Sequence, residues 1–229
     1  FTAATLLTHN TAIFFLLAVN LFVLGAILWR ARAGRTQPAT HDPQLALRRR
    51  WLLAQLGVLL LWSPWLAPFV AQASSVDREF WIARPTAGVV LAALKAFLSA
   101  LLPELGGWEG VIWAGYAGLM LLGIVHLRRR KTRLALAGIL LVVPFAGELL
   151  ISLRRPIFSD RTLIWATIPI YLLLAAGIAR LRRPAAILVA TALIAAVNTA
   201  SLHNYYVNFQ KEGWDQAAAY VAARADAND

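Results

Sequence analysis

The sequence predicts an all-α integral membrane protein with about six transmembrane helices and one further helix lying in the outer interface. Sixty per cent of its 229 residues are hydrophobic and only 14% are charged, which is the composition of a membrane protein. The apolar residues run in long blocks instead of a 3.6-residue stripe, and six of these blocks approach the roughly 20 residues needed to cross a bilayer. The basic residues gather in alternate loops between the blocks, as the positive-inside tendency requires.

Taken in order, the first block covers residues 6–29 and runs into Arg30, Arg32 and Arg35, with Arg48–Arg50 closing a basic linker. The second, 51–70, contains Pro64 and Pro68 near its end. The third, 111–127, stops at Arg128–Arg130, Lys131 and Arg133, and the fourth, 134–153, stops at Arg154. The fifth, 163–179, carries an internal Pro169 and ends at Arg180; the sixth, 185–202, follows Arg182 and Arg183. Fourteen of the 22 basic residues lie in these three loops, accompanied by one acid, Asp42. Those loops are expected in the cytoplasm, with both ends of the chain outside. A seventh crossing by the apolar stretch Thr86–Leu102 would carry Arg128–Arg133 to the outer side. The stretch is also short and has Lys95 at its middle, so it reads as an interfacial or re-entrant helix within an outer segment covering residues 71–109. Residues 1–203 then form the transmembrane domain, and 204–229 begin an extracytoplasmic segment.

The chain begins at Phe1, already inside an apolar segment with no charged region ahead of it, so its start does not read as a signal peptide. It is expected to be part of something longer. With no cysteine, neither a disulfide framework nor a cysteine-based metal site is available. The net charge of +11 would suggest nucleic acid in a soluble protein; here most of it marks membrane orientation, and no nucleic-acid partner is expected. A chain rich in Ala, Leu and Arg, with few Lys, points to a GC-rich bacterial genome.

Arg154, Arg155 and Arg161 depart from this pattern, because they sit in a short break on the outer side. Charge at the membrane boundary is costly unless it pairs or lines a wet cavity. One reading has Glu148 and Asp160 neutralising two of them while the remainder snorkels to the headgroups. The other has an anionic ligand, since guanidinium groups match phosphate oxygens bidentately. Pro156 suits either, as it ends the helix after Arg155 and sets a turn.

The residues of this break resemble a known family. Pro156, Phe158 and Arg161, followed by a span with Pro169, form a Pro-x-Phe-x-x-Arg turn similar to that of the multi-spanning GT-C glycosyltransferases that use polyprenyl-phosphate sugars: the protein O-mannosyltransferase, aminoarabinose transferase and rhizobial lipopolysaccharide sugar transferase types. Thr162 stands where many of them have tyrosine. Three more stretches resemble the group in the same order: Leu6–Phe22 with its Thr-His pair, Leu60–Pro85 with Pro-Trp-Leu and a later Phe-Trp-Ile, and Leu202–Val221 with paired tyrosines before a Trp-x-x-Ala-Ala-x-Tyr-Val helix. Asp215 replaces the arginine that commonly follows that tryptophan.

The resemblance implies a GT-C-like fold and an inverting transfer, in which an acceptor hydroxyl attacks the anomeric carbon and polyprenyl phosphate leaves. The donor would be a polyprenyl-phosphate sugar and the acceptor a glycan, lipid or protein of the cell envelope, at the outer face of the cytoplasmic membrane. The catalytic acid of such enzymes lies just after their first span, so the catalytic residues of this chain are expected upstream of Phe1 and the chain alone is expected to be inactive. Arg161, with Arg154 and Arg155 behind it and Lys95 opposite, would bind the donor phosphate, where negative charge develops. His9, Glu148, Phe80, Trp81, Tyr205 and Tyr206 would line the substrate cavity. Each also has a structural reading: Glu148 as counter-ion to Arg154 or Arg155, His9 as a hydrogen-bonded interface residue, the aromatics as an interfacial belt, Lys95 as a snorkelling cation. Two histidines, His9 and His203, without a third ligand make no zinc site; no metal and no cofactor are expected. No phosphate-cradling glycine loop, His-Glu-x-x-His or nucleophile elbow is present. The alternative function is a transporter or flippase for an anionic lipid-linked substrate, for which the paired, interrupted spans of two matching halves are not visible; a non-catalytic membrane scaffold is a third.

Overall fold

The computed structural model describes residues 2–32, 43–79, 84–209 and 213–224, and every regular element among them is helical. In chain order these are α1 (Thr2–Thr8), α2 (Ala12–Arg32), α3 (Pro43–Trp62), α4 (Leu66–Glu79), α5 (Ala87–Ser99), α6 (Glu109–Leu127), α7 (Lys131–Ser152), α8 (Thr167–Arg180), α9 (Pro184–Asn208) and α10 (Trp214–Ala222). An apolar environment leaves backbone N–H and C=O groups no partner but each other, which is why long apolar blocks become helices. Among the described residues five stretches are long and apolar enough to cross a membrane: Ala12–Trp29, Leu45–Gln72, Glu109–Leu127, Lys131–Ser152 and Pro184–Asn208.

The expected span 163–179 takes a different form. It opens with a 3-10 turn at Ile164–Ala166 and continues as the 14-residue α8. Pro169 lies in the first turn of α8, where its missing N–H costs nothing. Short as it is, α8 is central: Pro169, Ile170, Leu173, Leu174 and Gly177 are all buried, and α8 packs closely along α6 and also against α7. The second span differs as well. Instead of leaving for a loop near residue 71, the chain bends at a 3-10 turn, Ser63–Trp65, with Pro64 in its first positions, and stays helical through α4 to Glu79. A proline that opens a new helical segment redirects the chain without ending it.

Two faces of the bundle follow from the contacts. On one, the loop face, the Thr11 hydroxyl donates to the Thr162 carbonyl at 3.1 Å, and Asn10 meets both Gln72 (2.9 Å) and the Trp65 indole (3.3 Å). The end of α9 is tied there too, as Ser201 donates to the Ala100 carbonyl and Asn204 to that of Leu101 at 2.7 Å. These bonds hold Leu101 at a φ of 55°, a left-handed conformation that a non-glycine residue adopts at some cost. The opposite, basic face carries the turns at Arg128–Arg130 and Leu181–Arg183. Helices α2, α6 and α8 run from the loop face to the basic face; α3, α7 and α9 return.

At 13 residues α5 is only about 20 Å long, well short of a bilayer's hydrocarbon core. Thr86 caps it, its hydroxyl accepting from Val89 N–H at 3.3 Å. Beyond that cap, Phe97 anchors α5 on the loop face: its carbonyl accepts from the Tyr171 hydroxyl at 2.9 Å and its ring meets Phe145 edge-on at 6.2 Å. A test of sidedness is available because the chain has no cysteine. In intact cells Glu104→Cys, on the loop face, should react with a membrane-impermeant maleimide, and Arg129→Cys, on the basic face, only after permeabilisation. Equal reactivity of the two would refute opposite sidedness.

Candidate functional site: the arginine turn and its buried support

The turn between α7 and α8 is pinned at both ends. Ser152, fully buried at the end of α7, accepts on its hydroxyl from Ile157 N–H (3.1 Å) and Phe158 N–H (3.0 Å), giving two backbone donors a partner where the helix leaves off. Phe158 is 1% exposed and its ring meets Phe145 at 6.0 Å; Leu163 is wholly buried. Between these anchors Ser159 and Thr162 bond reciprocally. Thr162 N–H donates to the Ser159 hydroxyl at 3.2 Å and Ser159 N–H to the Thr162 hydroxyl at 3.1 Å, an exchange of the capping-box kind. Asp160 Oδ1 accepts from Arg161 N–H at 2.9 Å.

Arg154 and Arg161 are exposed and Arg155 is half-buried. With Phe158 and Leu163 drawn inward, the residues between them that face solvent are Asp160 and Arg161, so the turn presents a guanidinium group on a rigid base. Regular α7 ends at Ser152, and helical-type bonding carries on to Arg155, whose N–H donates to the Ile151 carbonyl at 2.8 Å, the stop expected ahead of Pro156.

Glu148, expected as a counter-ion to Arg154 or Arg155, is held by other groups. It is 1% exposed, inside α7 one turn before Ser152, and its Oε2 accepts from the Thr162 hydroxyl at 2.7 Å, with the Ser159 backbone N–H as a further partner. Glu148 faces inward beneath the turn, whereas Arg154 and Arg161 face out. Thr162 in turn is bonded through its carbonyl to Thr11, whose hydroxyl also meets His9 Nδ1 at 2.7 Å. The structure therefore gathers His9, Glu148 and the Arg161 turn into one hydrogen-bonded network built from α1–α2, α7 and the α7–α8 connection.

Other expected residues lie elsewhere. Lys95 is half-buried on α5 with Nζ 5.5 Å from the centre of the Trp113 ring, a cation–π distance. Tyr205 and Tyr206 sit near the end of α9, their rings edge-to-face at 5.3 Å, with Tyr205 stacked on Phe209 at 5.2 Å; Tyr206 is largely exposed. Neither tyrosine joins the network under Arg161. Phe80 and Trp81 lie outside the described residues. No three His, Asp or Glu side chains come together among the described residues.

Sequence reasoning passed over Thr11, Ser152 and Ser159 and treated Thr162 only as a substitution. The available signal was their placement: small hydroxyl residues at the ends of apolar spans, where backbone groups need partners. A second feature had no sequence signal. Between α6 and α9 lies an apolar groove of about 740 Å³, lined by Val111, Tyr116 and Leu119 on one side and by Val189, Leu193 and Val197 on the other. It extends from Trp108 at the loop face to Leu181 at the basic face. Its lining is almost wholly apolar. Among the described residues the structure defines an all-helical class, with five helical stretches long and apolar enough to cross a membrane and a polar network under an arginine turn. No family model, curated protein or solved structure matches the sequence.

Proposed function

We propose that this chain belongs to a GT-C-type glycosyltransferase, which moves a sugar from a polyprenyl-phosphate donor to an acceptor at the outer face of the cytoplasmic membrane. The loop face is the outer face in this reading, because the basic turns belong to the cytoplasm. The observation that carries it is the exposed Arg161 on its pinned turn. In the transfer, an acceptor hydroxyl oxygen bonds to the anomeric carbon and gives its proton to a carboxylate base, while the bond from that carbon to the phosphate oxygen breaks and its electron pair leaves with polyprenyl phosphate. A guanidinium held rigidly at the departing oxygen stabilises that charge without reorganising. Arg154 and Arg155 add positive potential. The α6–α9 groove suits the isoprenoid chain of such a donor, since it is apolar along its length and open to the bilayer.

The test uses the full chain in nanodiscs and radiolabelled polyprenyl phosphate as probe. Arg161→Ala should weaken binding about 10- to 100-fold, the loss of hydrogen bonds to a charged group, while an Arg129→Ala control on the basic face leaves it unchanged. Undiminished affinity in Arg161→Ala would refute the phosphate assignment. Arg161-dependent binding accompanied by translocation of the probe across proteoliposomes would favour the flippase alternative.

A further inference from the structure

We infer that Thr162 is a positioning residue that aims the Arg161 guanidinium, and that buried Glu148 and Thr11 are the two points against which it is braced. The functional importance of that aim rests on the reading of Arg161 as the phosphate-binding group; the bracing itself does not.

The peptide units on either side of Arg161 are both held. On the N-terminal side, the Arg161 N–H is fixed by Asp160 Oδ1 at 2.9 Å. On the C-terminal side, the carbonyl of Thr162 is fixed by the Thr11 hydroxyl at 3.1 Å, and the side chain of Thr162 by Glu148 Oε2 at 2.7 Å. The Thr162 hydroxyl is also close to the carbonyls of Ser159 (2.9 Å) and Ile157 (3.2 Å) and accepts from Ser159 N–H. It has one proton to give, and the shortest of its contacts to an acceptor is the one to Glu148. A carboxyl buried to this degree is costly to leave unpartnered, so Glu148 holds Thr162 firmly and Thr162 is drawn inward. Its neighbour Arg161 is thereby turned outward, and the direction of its Cα–Cβ bond is set by contacts reaching 14 residues back to Glu148 and 151 residues back to Thr11. A long arginine side chain has many rotamers, and restricting where it starts reduces what must be ordered when it binds.

This places a requirement on Thr162 that valine, of nearly the same shape, cannot meet and serine can. The experiment reads the brace directly. Arg161→Cys is made in the cysteine-free chain and carries a nitroxide spin label, in three backgrounds: no further change, Thr162→Val and Thr162→Ser. The label should be restricted in the first, several-fold more mobile with Thr162→Val, and restored with Thr162→Ser. Thr11→Val, which removes the second brace without touching the Glu148 contact, should also mobilise it. Should Thr162→Val unfold the protein, Thr11→Val and Glu148→Gln carry the test, the glutamine keeping an acceptor oxygen and a restricted label. Equal label mobility in all folded backgrounds would overturn the proposal.

In parallel, with Arg161 intact, Thr162→Val should lose about tenfold in polyprenyl phosphate affinity, the loss expected for one misaligned charge-assisted hydrogen bond. Thr162→Ser should stay within about twofold, since it keeps the hydroxyl. A mobilised label with unchanged affinity in Thr162→Val would overturn the role of the brace in binding. If Arg161→Ala itself binds normally, the phosphate assignment fails, and the label spectra still decide whether Thr162 aims the side chain.

Discussion

Phe158→Ala should lower the thermal unfolding midpoint of the detergent-solubilised protein by about 6–20 °C. The estimate combines about 3–5 kcal/mol for truncating a buried phenylalanine with 2–4 °C per kcal/mol for a chain of this size. Phe158 is among the largest side chains that are fully buried. It closes a run of aromatic contacts in which Phe97 of α5 meets Phe145 of α7 at 6.2 Å and Phe145 meets Phe158 at 6.0 Å. Its removal empties a site that α5, α7 and the start of α8 cannot all collapse into, because Leu163 and Ala166, both wholly buried, already occupy the neighbouring space. The same substitution frees the arginine turn, so probe binding should fall with stability. Ile157→Ala, one residue earlier and only half-buried, is the internal comparison and should cost markedly less. A Phe158→Ala midpoint within 2 °C of the unaltered protein would show that the turn is held by its hydrogen bonds alone.

Gly123→Ala and Gly177→Ala should each destabilise the bundle by about 3 kcal/mol, at the upper end for forcing atoms into a filled space. The two glycines form a reciprocal crossing between α6 and α8. A Cβ on Gly123 would overlap the carbonyl oxygen of Leu173 and lie 3.2 Å from the Gly177 nitrogen, while a Cβ on Gly177 would overlap the carbonyl oxygen of Leu119. The obstacle is backbone in both cases, so no side chain can swing aside and the helices themselves must separate. Helices in a membrane associate chiefly through such close approach, which makes the penalty difficult to recover elsewhere. Gly118→Ala, on the same helix with nothing within 4 Å of its Cβ position, should instead be neutral or gain up to about 1 kcal/mol from helix propensity. Thermal unfolding of the three variants checks the contrast. Because both glycines act at one crossing, the double variant should cost less than the two separate losses combined. Equal stability of Gly118→Ala and Gly177→Ala would refute a backbone contact there.

The helical architecture was legible because it depends on local properties. A stretch such as Ala12–Trp29 or Pro184–Asn208 is apolar enough to leave its backbone no partner but itself, so length and composition suffice to predict a helix. The two prolines behave differently. Pro156 acts as the expected stop, the last helical-type bond before it running from Arg155 N–H to the Ile151 carbonyl, whereas Pro64, inside the expected span 51–70, opens a 3-10 turn through which the helical path continues into α4. The difference lies in what surrounds each proline, in particular whether a side chain such as Ser152 supplies partners for the backbone that follows.

By itself, the sequence determined an all-helical chain with six apolar blocks, the alternation of basic turns, and the anomaly of arginines between α7 and α8. Those follow from composition and spacing. Only the tertiary structure decided that Glu148 faces Thr162 beneath the turn, that Thr11 reaches Thr162 across 151 residues, and that Gly123 and Gly177 meet at one crossing. The physical reason is that hydrogen-bond partners and close packing are properties of pairs of residues. Which pairs meet is settled when the helices assemble, and no single stretch of the chain carries that information.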